Sequence, residues 1–370
     1  MTQRMPANNA PFDDRRRDAF VESTLAAAGG AMRLFSIYLG DRLGYYQALA
    51  DGRAVTAEEL ARSVQADARC TREWLEQQTV NGIVEVDDAA LPAEQRRFRL
   101  PAEHAEPLAD ADSLNFIAPL AQVFVGAVEP LEQVVDAFRT GRGVPFEDYG
   151  REMREGQARI NRTMFLQQLG QEWIPAMPDV AVRLAADPPA RIADIGCGCG
   201  WSAIGMAQAF PKATVDGFDL DEASVEDARA NVAAAGLSDR VRVQAVDCGD
   251  PSLAGTYDLV VALECIHDMA DPVAVLRSMR RMVAQGGAVL VADERVAESF
   301  EPGGGEIDWL MYGWSVFHCL HVGMTESPSR CTGTVMRPST FEGYAREAGF
   351  AAVEVLPVEN LFFRLYRLLA

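Results

Sequence analysis

The chain has 370 residues, 49% hydrophobic and 24% charged, with 34 basic against 54 acidic side chains and a formal net charge of −20. That length allows two or three domains with a substantial core. The charge would repel phosphate backbones and anionic bilayers over most of the surface, which disfavours bulk nucleic-acid binding and a polybasic membrane patch.

Residues 1–18 are polar, lack the apolar run of a secretory signal and read as a disordered tail. Seven cysteines, an odd number at irregular spacing, read as reduced thiols in a cytoplasmic protein. The uncharged stretch 113–128 is too short and too interrupted to span a bilayer.

A helical pattern runs from Ala19 to Ala50, and Gly29, Gly30 and Gly40 are expected to break it. Thr56 and Glu59 form a capping-box signature for a helix over 57–64. Asp67 opens a second helix over about 71–81, stopped by Gly82. Residues 83–86 and 97–100 then alternate like two strands around a polar turn. Two helices and a hairpin make a winged-helix pattern over 19–108. Its second helix sets Arg69 and Arg72 against Glu73 and Glu76, so dimerisation or a substrate wall is preferred to DNA reading.

Residues 109–187 read as a mostly helical linker or lid, interrupted by a loop over 140–145. From residue 188 the pattern becomes strand–helix alternation, the mark of a parallel sheet with crossover helices. Strands are predicted at 190–195, 214–218, 241–245, 257–263 and 288–292, and a closing hairpin at 353–358 and 362–368. Asp221 caps a helix that Gly236 ends.

The sharpest motif follows the first of these strands: Asp194-Ile195-Gly196-Cys197-Gly198-Cys199-Gly200. Alternate glycines let the backbone turn tightly and let a ligand approach it. The pattern is G-x-G-x-G, not the G-x-G-x-x-G of a pyrophosphate loop, and Asp194 beside it suits a cationic or amine-bearing ligand. The next strand ends at Asp219, where a carboxylate can accept two ribose hydroxyls, with Leu220 placed to pack on a base. The third leads to Asp247 and Cys248, where a carboxylate can accept from an adenine amine. Three acids at the ends of three successive strands define one crevice.

On these residues 190–294 resemble the class I S-adenosylmethionine-dependent methyltransferases. The front module resembles the winged-helix dimerisation domain of small-molecule O-methyltransferases. The stretch 143–165, with Phe317-His318-Cys319, is similar to a group of bacterial methyltransferases of mostly unassigned substrate. The resemblance implies an α/β fold, a Rossmann-like seven-stranded sheet with its last strand antiparallel, behind an all-α and winged-helix N-terminal domain. It implies a homodimer acting on a small molecule without nucleic acid or membrane, and S-adenosylhomocysteine as the product. The cofactor set it implies is Asp194, Gly196, Gly198, Gly200, Asp219, Leu220, Asp247, Cys248, Glu264 and Tyr149.

Methyl transfer from a sulfonium is an in-line displacement, so alignment matters most, and a hydroxyl acceptor also needs a base. His267, just past the fourth strand of the sheet, is the candidate, with Asp268 to orient it. The segment resembles the catalytic histidine position of plant-type and polyketide O-methyltransferases, apart from Met269, where an aromatic is usual. His318, His321, Trp314 and Phe146 are candidates for the acceptor pocket, with Phe146 and Tyr149 as a lid. No third histidine or CxxC supports a metal. The alternatives are N- or C-methylation of a small molecule, or a regulator that senses the cofactor and binds DNA.

Overall fold

The computed structural model describes residues 12–250, 253, 255–305 and 307–369. The chain divides into two compact units, 1–110 and 111–370. The helical stretch that the sequence sets apart as a linker packs within the second unit.

The first unit begins with α1 (Asp14–Arg42), capped by Asp13, whose side chain accepts the amides of Arg15 and Arg16. Part of the expected tail is therefore helical; residues 1–11 lie outside the described residues. The glycines do not break α1. A Cβ on Gly40 would lie 2.5 Å from Trp74 and 2.6 Å from Tyr46, so glycine serves close approach there. Trp74 Nε1 also donates to the Ser36 carbonyl at 2.9 Å, tying α1 to the helix that carries Trp74.

Helix α2 (Ala57–Val64) has the full capping box: Glu59 N donates to Thr56 Oγ1 and Thr56 N donates to the Glu59 carboxylate. Helix α3 (Ala68–Val80) starts three residues earlier than expected because Asp67 accepts the Cys70 amide at 2.9 Å. A minimal antiparallel pair follows, β1 (Glu85–Val86) and β2 (Phe98–Arg99).

The second unit opens with α4 (Ala118–Val128) and α5 (Gly150–Met164). They cross closely at two glycines. A Cβ on Gly126 would lie 2.3 Å from the Met153 amide nitrogen, and one on Gly156 would lie 2.9 Å from Val123. Gly126→Val is expected to lower the unfolding free energy by about 3 kcal/mol through overpacking. An unshifted urea midpoint would mean that the two helices separate freely.

The sheet holds seven strands: β3 (Arg191–Ile195), β4 (Thr214–Asp219), β5 (Val241–Ala245), β6 (Tyr257–Leu263), β7 (Val283–Glu294), β8 (Ala352–Val355) and β9 (Phe363–Leu369). Their order is β5-β4-β3-β6-β7-β9-β8, parallel through β7, with β9 antiparallel to both β7 and β8. Strand β7 runs longer than expected because Val283 already pairs with Tyr257, and Gly286 at φ +81° takes up the irregularity.

Alternate residues of each central strand face opposite layers. Ile192, Leu259 and Val261 pack with α6 (Trp201–Ala209) and α7 (Glu222–Ala234). Ala193, Val260 and Ala262 pack with α8 (Pro272–Met282) and α9 (Pro338–Glu347). The chain leaves β3 toward one side of the sheet and returns to β6 on the other. That reversal opens a crevice at the carboxyl end of β3.

Candidate functional site

A cavity of about 510 Å³ occupies that crevice. Gly196, Asp219, Leu220, Asp247 and Cys248 line it on the β3–β5 side, and Glu264, Cys265 and Asp268 line it on the β6 side. These residues, drawn from between positions 196 and 268, line one cavity.

The glycine loop shapes one wall. Gly196, Gly198 and Gly200 all have positive φ, at +66°, +48° and +81°. Gly198 is open on its Cβ side, with nothing within 4 Å, and Gly200 leads into α6. Asp219 fixes the loop: its Oδ2 accepts the Gly198 amide at 2.7 Å and its Oδ1 accepts the Asp221 amide at 3.0 Å. Burial raises the Asp219 carboxyl, and these amides pull partly against it. Each oxygen keeps a further lone pair for a ligand.

Asp194 plays a different part from the one expected of a ligand contact. It lies under the loop, 1% exposed, and Ser202 Oγ donates to its Oδ2 at 2.6 Å. Burial pushes it up to about 7. It pins the start of α6 rather than facing the cavity.

Glu264 stands at φ +58°, which turns its side chain into the cavity, where the Asn161 amide donates to it. Burial pushes its carboxyl up to about 7 and that of Asp268 to about 6. In the sequence Asn161 is only one position within the stretch 143–165. Its role needed the approach of α5 to the end of β6.

His267 is 2% exposed and does not itself line the cavity; its neighbour Asp268 does. Its Nδ1 is 2.9 Å from Asp293 Oδ1. The carboxylate that orients the ring is thus Asp293, at the end of β7, and not Asp268 as the sequence suggested. Adjacent residues at the turn after β6 point apart, whereas the parallel neighbour β7 presents its last residues beside the ring. Burial opposes the charged ring, yet the Asp293 carboxylate, and then the Cys319 sulfur, lift it well above the usual imidazole range.

Other assignments move. Tyr149 is fully buried, donates to the Phe317 carbonyl at 2.9 Å and packs edge-on against His318; it does not reach the cavity. His318 is buried beside Cys319, and burial pushes its ring down to about 3. His321 Nε2 pairs with the Val316 carbonyl at 2.9 Å, and Trp314 packs on Phe124. None of these three lines the cavity; His318 lies in the wide helical turn Ser315–Cys319, which Trp314 precedes and His321 follows. Phe146 does line the cavity, as do Trp201 and Val322. Among the described residues no group of three or more His, Cys, Asp or Glu is placed to hold a metal, and no helix is long and apolar enough to cross a membrane.

Residues 193–289 match the methyltransferase domain family and residues 31–110 the Rv2258c-like winged helix-turn-helix domain family. The 27-O-demethylrifamycin SV methyltransferase of Amycolatopsis mediterranei is 36% identical over 119 residues, 32% of this chain and 43% of that protein. The chain spans less than half the length of the curated relatives it matches. In fold it is similar to the mitomycin 7-O-methyltransferase MmcR, with a TM-score of 0.68, 20% identity, and coverage of 96% of this chain and 99% of that one. Human N-acetylserotonin methyltransferase in complex with S-adenosylmethionine superposes with a TM-score of 0.63 at 19% identity, covering 99% and 100%.

Proposed function

We infer that this chain, which carries a methyltransferase domain behind a winged helix-turn-helix domain, moves the methyl group of S-adenosylmethionine onto a hydroxyl of a small acceptor. The observation that carries this reading is the single cavity ringed by Gly196, Asp219 and Asp247 at the ends of three adjacent parallel strands. The donor set suits the cofactor. Asp219 has lone pairs for ribose hydroxyls, Asp247 and Leu220 flank the place for a base, and Gly196 brings backbone without a side chain to the cavity for the amino-acid end. The volume is in the range of a small-ligand site.

The cofactor supplies an electrophilic methyl on a sulfonium. The chain's own work is to align the acceptor and to receive its proton. His267, held at Nδ1 by Asp293 and hydrogen-bonded also to Cys319, is the proposed base. The ring lies behind the cavity wall, so this role requires the wall at Asp268 to open toward the acceptor; Phe146 also lines the cavity. The stretch around His267 carries titratable groups on several sides: Asp293 and Glu294 from β7, Glu264 and Asp268 beside it, and His318 and Cys319 behind.

This arrangement has a pH signature. Only the neutral ring accepts a proton, and the ring is held well above the usual imidazole range. Turnover, followed as label from methyl-labelled cofactor reaching phenols, catechols, amines and carboxylic acids, should rise through the alkaline range. A plateau already reached by about pH 6–7 would instead point to Asp268 or Glu264 as the base. The sign for stability is opposite. A histidine raised in the folded state stabilises fully below its unfolded value of about 6.5, and that contribution fades as pH climbs through the folded value.

A second copy of the chain is the proposed partner of the front module. Helix α1 leaves Phe20, Leu25 and Met32 exposed, apolar surface of a kind that marks association. DNA is disfavoured because the arginines near α3 are spent on carboxylates: Arg69 on Glu73 at 2.5 Å, Arg72 on Glu94 at 2.9 Å and Arg96 on Glu76 at 2.7 Å.

A further inference from the structure

We propose that the methyl acceptor carries a positive charge, as a hydroxylated amine does, and that Glu147 and Glu326 at the cavity mouth select it. The inference rests on the methyl-transfer reading and deepens it.

Eight carboxyl-bearing side chains line the cavity against one guanidinium, that of Arg154. Arg154 is already engaged, with its Nε 3.1 Å from Asp227. Part of the acidity has structural work. Asp221 and Asp271 cap helices through the Ser224 and Ala274 amides, and Asp219 and Asp247 accept the Gly198 and Gly249 amides. Glu147 and Glu326 have no such duty. Both are exposed, and neither forms an ion pair among the described residues.

Their positions are fixed by the backbone. Glu147 sits in the short turn Phe146–Tyr149, and Glu326 follows the helix Leu320–Gly323. The two segments are tied by Gly143 N to the Met324 carbonyl at 3.3 Å and Val144 N to the His321 carbonyl at 3.0 Å. Phe146 lines the cavity beside Glu147, so the mouth offers two carboxylates and an aromatic face, a pairing that favours a cation.

The wall behind the cavity argues the same way. Asp293 and Glu294 are both more than nine-tenths buried, and Asp293 Oδ2 and Glu294 Oε2 have no hydrogen-bond partner. Burial and crowding by like charge hold Glu264 and Glu294 toward the neutral form, and a cation in the cavity would relieve both. A cleft lined by one sign of charge also concentrates ligands of the opposite sign, by about 10–10³-fold. A donor with one net positive charge neutralises little of this excess. An anionic acceptor would meet repulsion from the lining carboxylates that are ionised.

The test uses the full chain and three probes of one shape: benzylammonium, benzyl alcohol and benzoate. S-adenosylhomocysteine binding is measured first by calorimetry, and the saturated protein is then titrated with each probe by ligand-observed NMR. Benzylammonium should bind about tenfold tighter than benzyl alcohol, and benzoate weaker than either. In the Glu147→Gln, Glu326→Gln double variant the ammonium preference should fall to about twofold, with S-adenosylhomocysteine affinity unchanged. Benzoate binding as tightly as benzylammonium, an undiminished preference in the double variant, or no binding by any probe would overturn the proposal while leaving the methyl-transfer reading standing. Failure to bind S-adenosylhomocysteine would sink that reading, and this one with it.

Discussion

His267→Ala is expected to lower kcat by about 10²–10⁴-fold, the range for loss of a positioned general base. S-adenosylhomocysteine affinity should change by no more than about twofold, because the ring lies behind the cavity wall and does not line it. Asp293→Asn should reproduce part of the loss. It keeps the size of the Nδ1 partner but removes the charge that holds the ring well above its usual range, so the rising limb of the pH profile should move to lower pH. A kcat within a few-fold of wild type in His267→Ala would remove the base from this residue. Asp268, at about 6 and lining the cavity, would then be the group to examine.

The second large effect is on the cofactor. Asp219→Ala removes a carboxylate that lines the cavity and also accepts the Gly198 and Asp221 amides, so it deletes a ligand contact and loosens the loop at once. Charged hydrogen bonds contribute about 1.5–3 kcal/mol, so S-adenosylhomocysteine should bind roughly 10–100-fold more weakly. Asp194→Asn is a useful contrast. Asp194 faces Ser202 beneath the loop, so its replacement should lower thermal stability more than it lowers affinity. Equal affinities for wild type and Asp219→Ala would show that β4 does not contribute to the site.

The parallel sheet was legible because short strand-like runs alternate with helical ones, and the strands at the site close on or beside an acid. β3 ends at Asp194 and Ile195, β4 at Asp219, and β6 at Leu263 before Glu264. Those closing residues lie at the carboxyl edge whatever the loops do, so Gly196, Asp219, Asp247, Glu264 and Asp268 could be gathered from spacing and resemblance. What failed was side-chain direction. Asp268 follows His267 in the chain, but Asp293 meets the ring through the neighbouring strand, a relation that sequence adjacency hides. His318, His321 and Trp314 share a segment with a reasonable address, yet they pack on Tyr149, the Val316 carbonyl and Phe124 and do not line the cavity. Helix α1 failed for a different reason. Gly40 looked like a breaker, but it is the surface on which Trp74 and Tyr46 rest.

The negative charge gains an address from the structure. Eight of its acids line one cavity, and burial holds Asp219, Glu264 and Asp268 above their usual range. Such a site is poised for a cationic donor, and the free carboxylates of Glu147 and Glu326 extend that preference to the acceptor.

The central claim is that this one cavity, at the ends of β3, β4 and β5, holds the methyl donor. Calorimetric titration of the full chain with S-adenosylhomocysteine tests it most directly. The account predicts one site per chain, with affinity lost by about 10–100-fold in Asp219→Ala and kept in His267→Ala. No binding, or binding indifferent to Asp219→Ala, would contradict it.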